Sequence, residues 1–143
     1  MTAERPREFL DTNVLVYAHD TTAGEKRTRA VELLERLAQD RTIALSVQVL
    51  QEFFVTVTRK LPNPLAIDQA EAIVADLSTL PLHAPGGPDV LAAIELHRKH
   101  KVSFWDAMVI RSASQLRCGV LWSEDLASGQ RYQDMEIRNP FLD

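Results

Sequence analysis

The sequence predicts an α/β fold with a central, mostly parallel sheet of about four to five strands and helices on both faces. Short apolar runs of strand length alternate with longer segments of helical periodicity, which is the pattern of parallel strands joined by helices. The segment FLDTNVLVYA, from Phe9 to Ala18, is the clearest case, since an apolar run ends at Asp11 and a helical pattern follows at once. At 143 residues the chain is long enough to bury a substantial core. We therefore expect residues 1–143 to form a single domain.

The first half of the chain is expected to hold two strands and three helices. Asp11 or Thr12 can cap the first helix. The second helix has one apolar side, and the segment Pro62–Pro64 ends the third because proline breaks a helix. In order, the elements are strand Glu8–Leu10, helix Asn13–His19, helix Glu25–Gln39, strand Ile43–Ser46 and helix Val47–Lys60.

The second half continues the alternation. Helical periodicity and short apolar runs predict three more helices and three strands, with a loop at Ala84–Pro88. In order, the elements are helix Ile67–Leu80, a brief strand near Leu82, helix Asp89–His100, helix Ser103–Arg117, strand Val120–Trp122 and strand Glu136–Arg138.

Composition restricts the class of protein. The single cysteine, Cys118, cannot form an internal disulfide, and the first ten residues carry charges and a proline where a signal peptide needs an apolar stretch. No apolar run approaches the ~20 residues of a membrane span. We expect a cytoplasmic protein without a membrane segment.

The formal net charge of −4 argues against a protein that grips nucleic acid by overall charge alone. Bound divalent cations would change the local field, so nucleic acid is not excluded as a partner. Basic residues cluster at Arg59–Lys60 and Arg98–Lys101. Their simplest interpretation is cations at helix C-termini, where the helix dipole favours positive charge.

Two carboxylates follow predicted strands. Asp11 closes the first strand, and Asp125 lies just after the strand Val120–Trp122. Parallel strands share one carboxyl edge, and ligands of open α/β sheets bind in the crevice outside it. The two residues can therefore meet there, although each also has an ordinary interpretation as a cap or turn residue.

Asp106 begins an apolar helical stripe that continues through Val109, Ile110 and Ala113. A charge in this position needs a partner, because burying an ionised group alone is costly. Ser103 and Asp106 also have the spacing of a capping box, so a purely structural role stays open.

Glu52 lies on the polar side of its predicted helix, opposite the side that carries Phe53 and Val57. Most charges in such positions are simply solvated. Glu52 becomes a candidate only because of the other acids, and Glu124, next to Asp125, is a similar case.

The order and spacing of these acidic residues resemble those of the PIN-domain nucleases, and more narrowly those of the VapC-type toxins of bacterial toxin-antitoxin pairs. The resemblance spans nearly the whole chain. Its motifs are D-T-N (Asp11–Asn13), the glutamate Glu52 within an apolar helix, W-D-A (Trp105–Ala107) and S-E-D-L (Ser123–Leu126).

The resemblance implies an acidic pocket of Asp11, Glu52, Asp106 and Asp125 that binds Mg²⁺ or Mn²⁺, with Asn13 and Ser123 supporting it by hydrogen bonds. Glu124 could replace Asp125 after a small loop shift. It further implies hydrolysis of RNA phosphodiester bonds, a homodimer, and a cognate antitoxin that blocks the pocket. Oxygen ligands and a partly hydrated ion agree with the chemistry of Mg²⁺.

Two alternatives to this nuclease stay open on the sequence alone. A haloacid-dehalogenase-type phosphotransferase also begins with an aspartate after the first strand, but it needs a second acid two residues later, where this chain has Asn13. The other alternative is a PIN-like module that binds RNA or a protein without cutting.

Overall fold

The structure, a computed structural model, describes residues 5–142, which contain six helices and one six-stranded sheet. The strands are β1 (Arg7–Leu10), β2 (Ile43–Ser46), β3 (Leu82–His83), β4 (Cys118–Trp122), β5 (Arg131–Tyr132) and β6 (Met135–Arg138). The helices are α1 (Thr12–His19), α2 (Glu25–Asp40), α3 (Val47–Arg59), α4 (Ile67–Leu77), α5 (Gly87–His100) and α6 (Phe104–Gln115).

The strand order is β3-β2-β1-β4-β6-β5, and every neighbouring pair is parallel except β5 and β6. The predicted α/β class with a mostly parallel sheet is thus confirmed. The prediction of four to five strands missed β5, a two-residue strand antiparallel to β6. Two residues are too few to show the alternating pattern by which a strand is recognised.

Helices cover both faces of the sheet. Parallel crossovers are right-handed, so α1–α4, which connect β1 to β2 and β2 to β3, lie on one face, and α5–α6, which return to β4, lie on the other. Accordingly, α3 packs on β2, while α6 packs on β2, β3 and β4. The fully buried core includes Phe9, Phe53, Ile110 and Leu121.

The chain reverses its direction of winding between β1 and β4, which are hydrogen-bonded neighbours. Such a switch point leaves a crevice outside the carboxyl ends of the two strands. The amide of Asp11 donates to the carbonyl of Trp122 across this pair at 3.0 Å. Asp11 and the residues that follow Trp122 therefore leave the sheet next to each other.

Several helix boundaries differ from the predictions by one to three residues; α6, for example, spans Phe104–Gln115 rather than Ser103–Arg117. For α4 and α5 the cause is visible in side-chain hydrogen bonds. Helix α4 stops at Leu77 rather than Leu80, because the hydroxyls of Ser78 and Thr79 donate back to backbone carbonyls and close the end. Helix α5 begins at Gly87 rather than Asp89, since the Asp89 carboxylate accepts from the Gly86 amide at 2.8 Å and caps an earlier turn.

Across residues 5–142, no helix is both long enough and apolar enough to cross a membrane.

Candidate active site

Asp11 is the N-cap of α1 and lies at the carboxyl end of β1. Its side chain is buried, with Oδ1 accepting from the Thr12 amide at 2.8 Å and Oδ2 accepting from the Ser123 hydroxyl at 2.7 Å. Burial raises the pKa of Asp11 to about 6, against the lowering effect of these two hydrogen bonds, and the charges of Asp125 and Asp106 raise it further. Asp11 is thus both a helix cap and a member of an acidic cluster.

The turn after β4 carries Ser123 and Asp125 to the same place. The fully buried Ser123 hydroxyl accepts from the Asp125 amide at 3.1 Å while it donates to Asp11. From α1, Asn13 donates to Oδ2 of Asp125 at 3.1 Å and accepts from the Glu124 amide at 3.3 Å. These bonds fix the turn over the start of α1, so that the Asp125 carboxylate lies near Asp11.

Asp106 stands in the first turn of α6, where the Ser103 hydroxyl caps the helix by accepting from the Asp106 amide at 3.1 Å. The Ser103 cap is therefore present, and it is compatible with a site role for Asp106. Partial burial raises the pKa of Asp106; hydrogen bonding to Ser103 lowers it, and the charges of Asp125 and Glu52 raise it. Asp106 thus shares one electrostatic environment with acids from two other parts of the chain.

Glu52 is exposed on α3 and is held by two hydrogen bonds. The Thr12 hydroxyl donates to its Oε2 at 3.0 Å, and Nε2 of Gln48 donates to its Oε1 at 2.8 Å. Sequence reasoning did not identify Gln48 as a site residue. The available signal was the spacing of four between Gln48 and Glu52, which places both side chains on one helix face.

Glu124 faces a different set of partners. It accepts from the Tyr17 hydroxyl at 2.8 Å and forms an ion pair with Lys26 at 2.6 Å. The ammonium of Lys26 also lies 4.9 Å from the centre of the Tyr17 ring. In this arrangement Asp125, rather than Glu124, is the carboxylate held beside Asp11.

The four acids come from the ends of β1 and β4 and from α3 and α6. The charges of Asp125 and Asp106 act on Asp11, and those of Asp125 and Glu52 act on Asp106. As the side chains stand, no three carboxylate, imidazole or thiol groups within residues 5–142 form a cluster that could hold a metal ion. The donor chemistry nevertheless fits Mg²⁺ or Mn²⁺, since all four groups offer oxygen and Mg²⁺ commonly uses only one or two protein carboxylates. Burial is the main cause of the raised pKa of Asp11 and of Asp106, and the charges of neighbouring carboxylates add to it. A bound cation would favour the charged form of both groups.

A further acceptor lies at the edge of this cluster. Oε1 of Gln48 is buried and has no hydrogen-bond partner among the residues that the structure describes. Nε2 of the same side chain donates to Glu52 and, at 3.5 Å, to the backbone carbonyl of Trp105. A buried acceptor without a partner is costly, so this position favours a ligand that carries a donor.

In the comparison with known families, the model of the PIN domain matches residues 9–128. This range contains all four acids together with Asn13 and Ser123. No curated protein sequence matches the chain.

Several solved structures share the fold. A toxin-antitoxin complex from Klebsiella pneumoniae is 19% identical with a TM-score of 0.69, covering 94% of this chain and 98% of that chain. VapC20 of Mycobacterium tuberculosis, described as a sarcin-ricin loop cleaving toxin, is 16% identical with a TM-score of 0.61, covering 80% and 86%. VapBC2 of Rickettsia felis, bound to a DNA fragment from its promoter, is 21% identical with a TM-score of 0.63, covering 92% and 97%. At these identities the likeness establishes the fold.

Proposed function

Because the chain belongs to the PIN domain family, we propose that it is a divalent-cation-dependent endoribonuclease and the toxin of a toxin-antitoxin pair. The observation that carries the proposal is electrostatic: the charges of Asp106 and Asp125 act on Asp11 at the switch point, and the charge of Glu52 acts on Asp106. Family membership leaves no support for the phosphotransferase alternative, and Asn13, where that class needs an acid, instead binds Asp125.

In this proposal Asp11 and Asp106 are the principal ligands of Mg²⁺ or Mn²⁺, and Glu52 and Asp125 complete the site directly or through water. When bound, the cation supplies activation of the attacking water and stabilisation of the charge that develops on the phosphate. Ser123 and the Thr12 amide keep Asp11 in place, and Asn13 orients Asp125. Thr12 and Gln48 hold Glu52 at the rim.

The substrate we propose is RNA, cut in single-stranded loops, because unstacked bases are accessible there whereas an A-form duplex hides them. The fold shared with a sarcin-ricin loop cleaving toxin supports this choice. We also propose that residues 1–143 form one nuclease domain that acts in the cytoplasm as a homodimer.

A cognate antitoxin is the proposed protein partner, in keeping with the toxin-antitoxin complexes that share the fold. An Arg or Lys side chain of such a partner could pair with the pocket carboxylates, since charge-assisted bonds to carboxylates are strong. The pocket would then be blocked both electrostatically and sterically.

The test is cleavage of a mixed pool of structured RNAs by the purified protein, with Mg²⁺, Mn²⁺ or chelator. Asp106→Asn keeps the volume and removes the charge, so we expect it to lose more than the ~10- to 100-fold typical of residues that only support a metal site. Asp134→Asn, at an exposed position in the β5–β6 turn, is the matched control and should cut like the wild type. Equal cutting by wild type and Asp106→Asn would contradict the assignment.

A second candidate function is a PIN-like module that binds RNA or a protein without cutting. The observation in its favour is that no three ligand-type side chains within residues 5–142 stand as a ready metal site. Tight RNA binding without product in either cation would favour this module over the nuclease.

A further inference from the structure

Trp105 is an exposed aromatic residue at the rim of the acidic cluster. Its side chain is 65% exposed, although the burial of a large apolar side chain normally stabilises the fold. It precedes Asp106 in the first turn of α6, and its carbonyl accepts from Gln48, which also holds Glu52. The ring packs edge-to-face with Phe104, with 5.2 Å between the ring centres. One aromatic face is therefore presented to solvent from a fixed backbone.

Two lysines, Lys99 and Lys101, precede Trp105 in the chain by six and four residues. Lys99 and Lys101 stand at the C-terminal end of α5, and within residues 5–142 neither forms an ion pair, whereas Arg98 is paired with Glu95. Lys101 ends α5 in a left-handed conformation, with φ of 57°, and the chain enters α6 three residues later. This end of α5 therefore carries two lysines without an ion pair shortly before Trp105 in the chain.

Lys99 lies on the side of α5 that faces α6 and β5. It lines a cavity of about 500 Å³ between α5, α6 and β5, together with Tyr132. Tyr132 is itself within the electrostatic range of Asp106, since burial and then the charge of Asp106 raise its pKa. A phosphate beside Lys99 would thus lie at a cavity whose wall includes Tyr132, a residue within reach of the Asp106 charge.

We propose that Trp105 stacks on an unpaired base of a single-stranded nucleic acid, while Lys99 and Lys101 neutralise the flanking phosphates. Aromatic faces beside cations suit this ligand, because every base has a face that can stack and the backbone is anionic. The unpartnered Oε1 of Gln48 is a nearby acceptor for an amino or hydroxyl donor of the same ligand. The inference deepens the proposed nuclease function and rests on it for the identity of the substrate.

A protein occupant fits the surroundings less well. The nearest exposed apolar residue on α5, Ile94, precedes the end of that helix by six residues, or about 9 Å along the axis. Between Ile94 and Trp105 the exposed positions are mainly charged, including Glu95, Arg98, Lys99 and Lys101. Protein interfaces instead deplete charged residues at their centre.

The experiment measures binding without cleavage. Trp105 and Trp122 are the two tryptophans of the chain, so a Trp122→Phe background makes the fluorescence report on Trp105 alone. The probe is a 12-nucleotide single-stranded RNA of mixed sequence, titrated in chelator at low salt, with circular dichroism to verify folding. We expect quenching on binding and a loss of affinity of about 5- to 100-fold in Trp105→Ala, measured by anisotropy of labelled RNA.

Matched variants separate stacking from general effects. Trp105→Phe keeps a ring and should recover part of the affinity, whereas Leu91→Ala removes a comparably exposed apolar side chain, 68% exposed, and should bind like the wild type. Replacing both Lys99 and Lys101 by Gln should lower the salt dependence of binding by about 0.7 in logarithmic slope for each phosphate that is no longer neutralised.

The outcomes distinguish this inference from the proposed function. Quenching of Trp105 by RNA together with weaker RNA binding by Trp105→Ala in the anisotropy assay, with no cleavage in any cation, keeps the stacking role and contradicts the nuclease. Metal-dependent cleavage with no quenching, and with full affinity in Trp105→Ala, keeps the nuclease and overturns the stacking role. A Trp105 emission that shifts with protein concentration and is unaffected by RNA also overturns it, in favour of association with a second copy.

Discussion

The Ser123 hydroxyl donates a 2.7 Å hydrogen bond to Oδ2 of Asp11, although the two residues are 112 positions apart in the chain. The same hydroxyl accepts from the Asp125 amide at 3.1 Å. One fully buried hydroxyl therefore connects the end of β1 to the turn after β4. The bond opposes the effect of burial on the pKa of Asp11.

Ser123→Ala should destabilise the protein, because it leaves a buried carboxylate oxygen without its donor. We expect a loss of about 1–3 kcal/mol in the free energy of unfolding at neutral pH. The pKa of Asp11 should rise further, so the loss should be larger at pH 8 than at pH 4, where Asp11 is protonated. Thermal melts in chelator measure it, with the exposed helix-end residue Ser78→Ala as control. Equal losses at both pH values would contradict the explanation.

Asp11→Asn should stabilise the metal-free protein above pH 6 while it removes a proposed metal ligand. The folded pKa of about 6 exceeds the unfolded value of 3.8, so the folded state binds the proton more tightly and stability falls as pH rises from about 4 to 6. Because the variant carries no charge at this position, its free energy of unfolding at pH 8 should exceed that of the wild type by up to about 3 kcal/mol. The gain is smaller if the amide of the variant does not reproduce the two hydrogen bonds of the carboxylate.

The check on Asp11→Asn is a pair of melting curves at pH 5 and pH 8 in chelator, repeated at pH 8 with Mg²⁺. The wild type should gain stability from Mg²⁺, and the variant should not. Asp134→Asn, at an exposed position, should behave as the wild type in all conditions. A variant that melts below the wild type at pH 8 in chelator would show that the two hydrogen bonds outweigh the burial of charge.

Glu124→Gln should leave RNA cleavage within about threefold of the wild type, whereas Asp125→Asn should reduce it at least tenfold, in the range of losses at metal sites. The reason is the geometry: Glu124 is occupied by Tyr17 and Lys26, and Asp125 is held by Asn13. The ion pair is partly exposed, so its loss should have little effect on stability. The measurement is the initial rate of RNA cleavage by the two variants and the wild type. A larger loss of rate in Glu124→Gln than in Asp125→Asn would reverse the assignment of the two acids.

Asp89→Asn should lower the melting temperature at neutral pH. The Asp89 carboxylate accepts from the Gly86 amide at 2.8 Å and from Arg111 at 2.9 Å, and these bonds lower its pKa below 3.8. A lowered pKa contributes stability above about pH 4 that is lost as the pH falls through the folded value. The difference from wild type should therefore shrink near pH 3. Asp68→Asn, an exposed acid in the first turn of α4, is the matched control.

Much of the fold could be predicted because its signals are local. Apolar runs and helical periodicity identified β1, β2, β3, β4, β6 and all six helices. The errors lie where other contacts decide: β5 exists only through pairing with β6, and the start of α5 depends on the carboxylate of Asp89 reaching the Gly86 amide.

The sequence by itself determined the class of the fold, the succession of its elements apart from β5, and which acids are candidates for a site, because periodicity and strand-end position are properties of neighbouring residues. Only the tertiary structure decided that Ser123 rather than another donor supports Asp11, that Gln48 and Thr12 hold Glu52, and that Glu124 turns to Lys26. Each of these depends on a side-chain direction across elements far apart in the chain. The burial of Asp11 also depends on the tertiary structure. Its pKa is raised chiefly by the loss of surrounding water, which is a property of the packed fold.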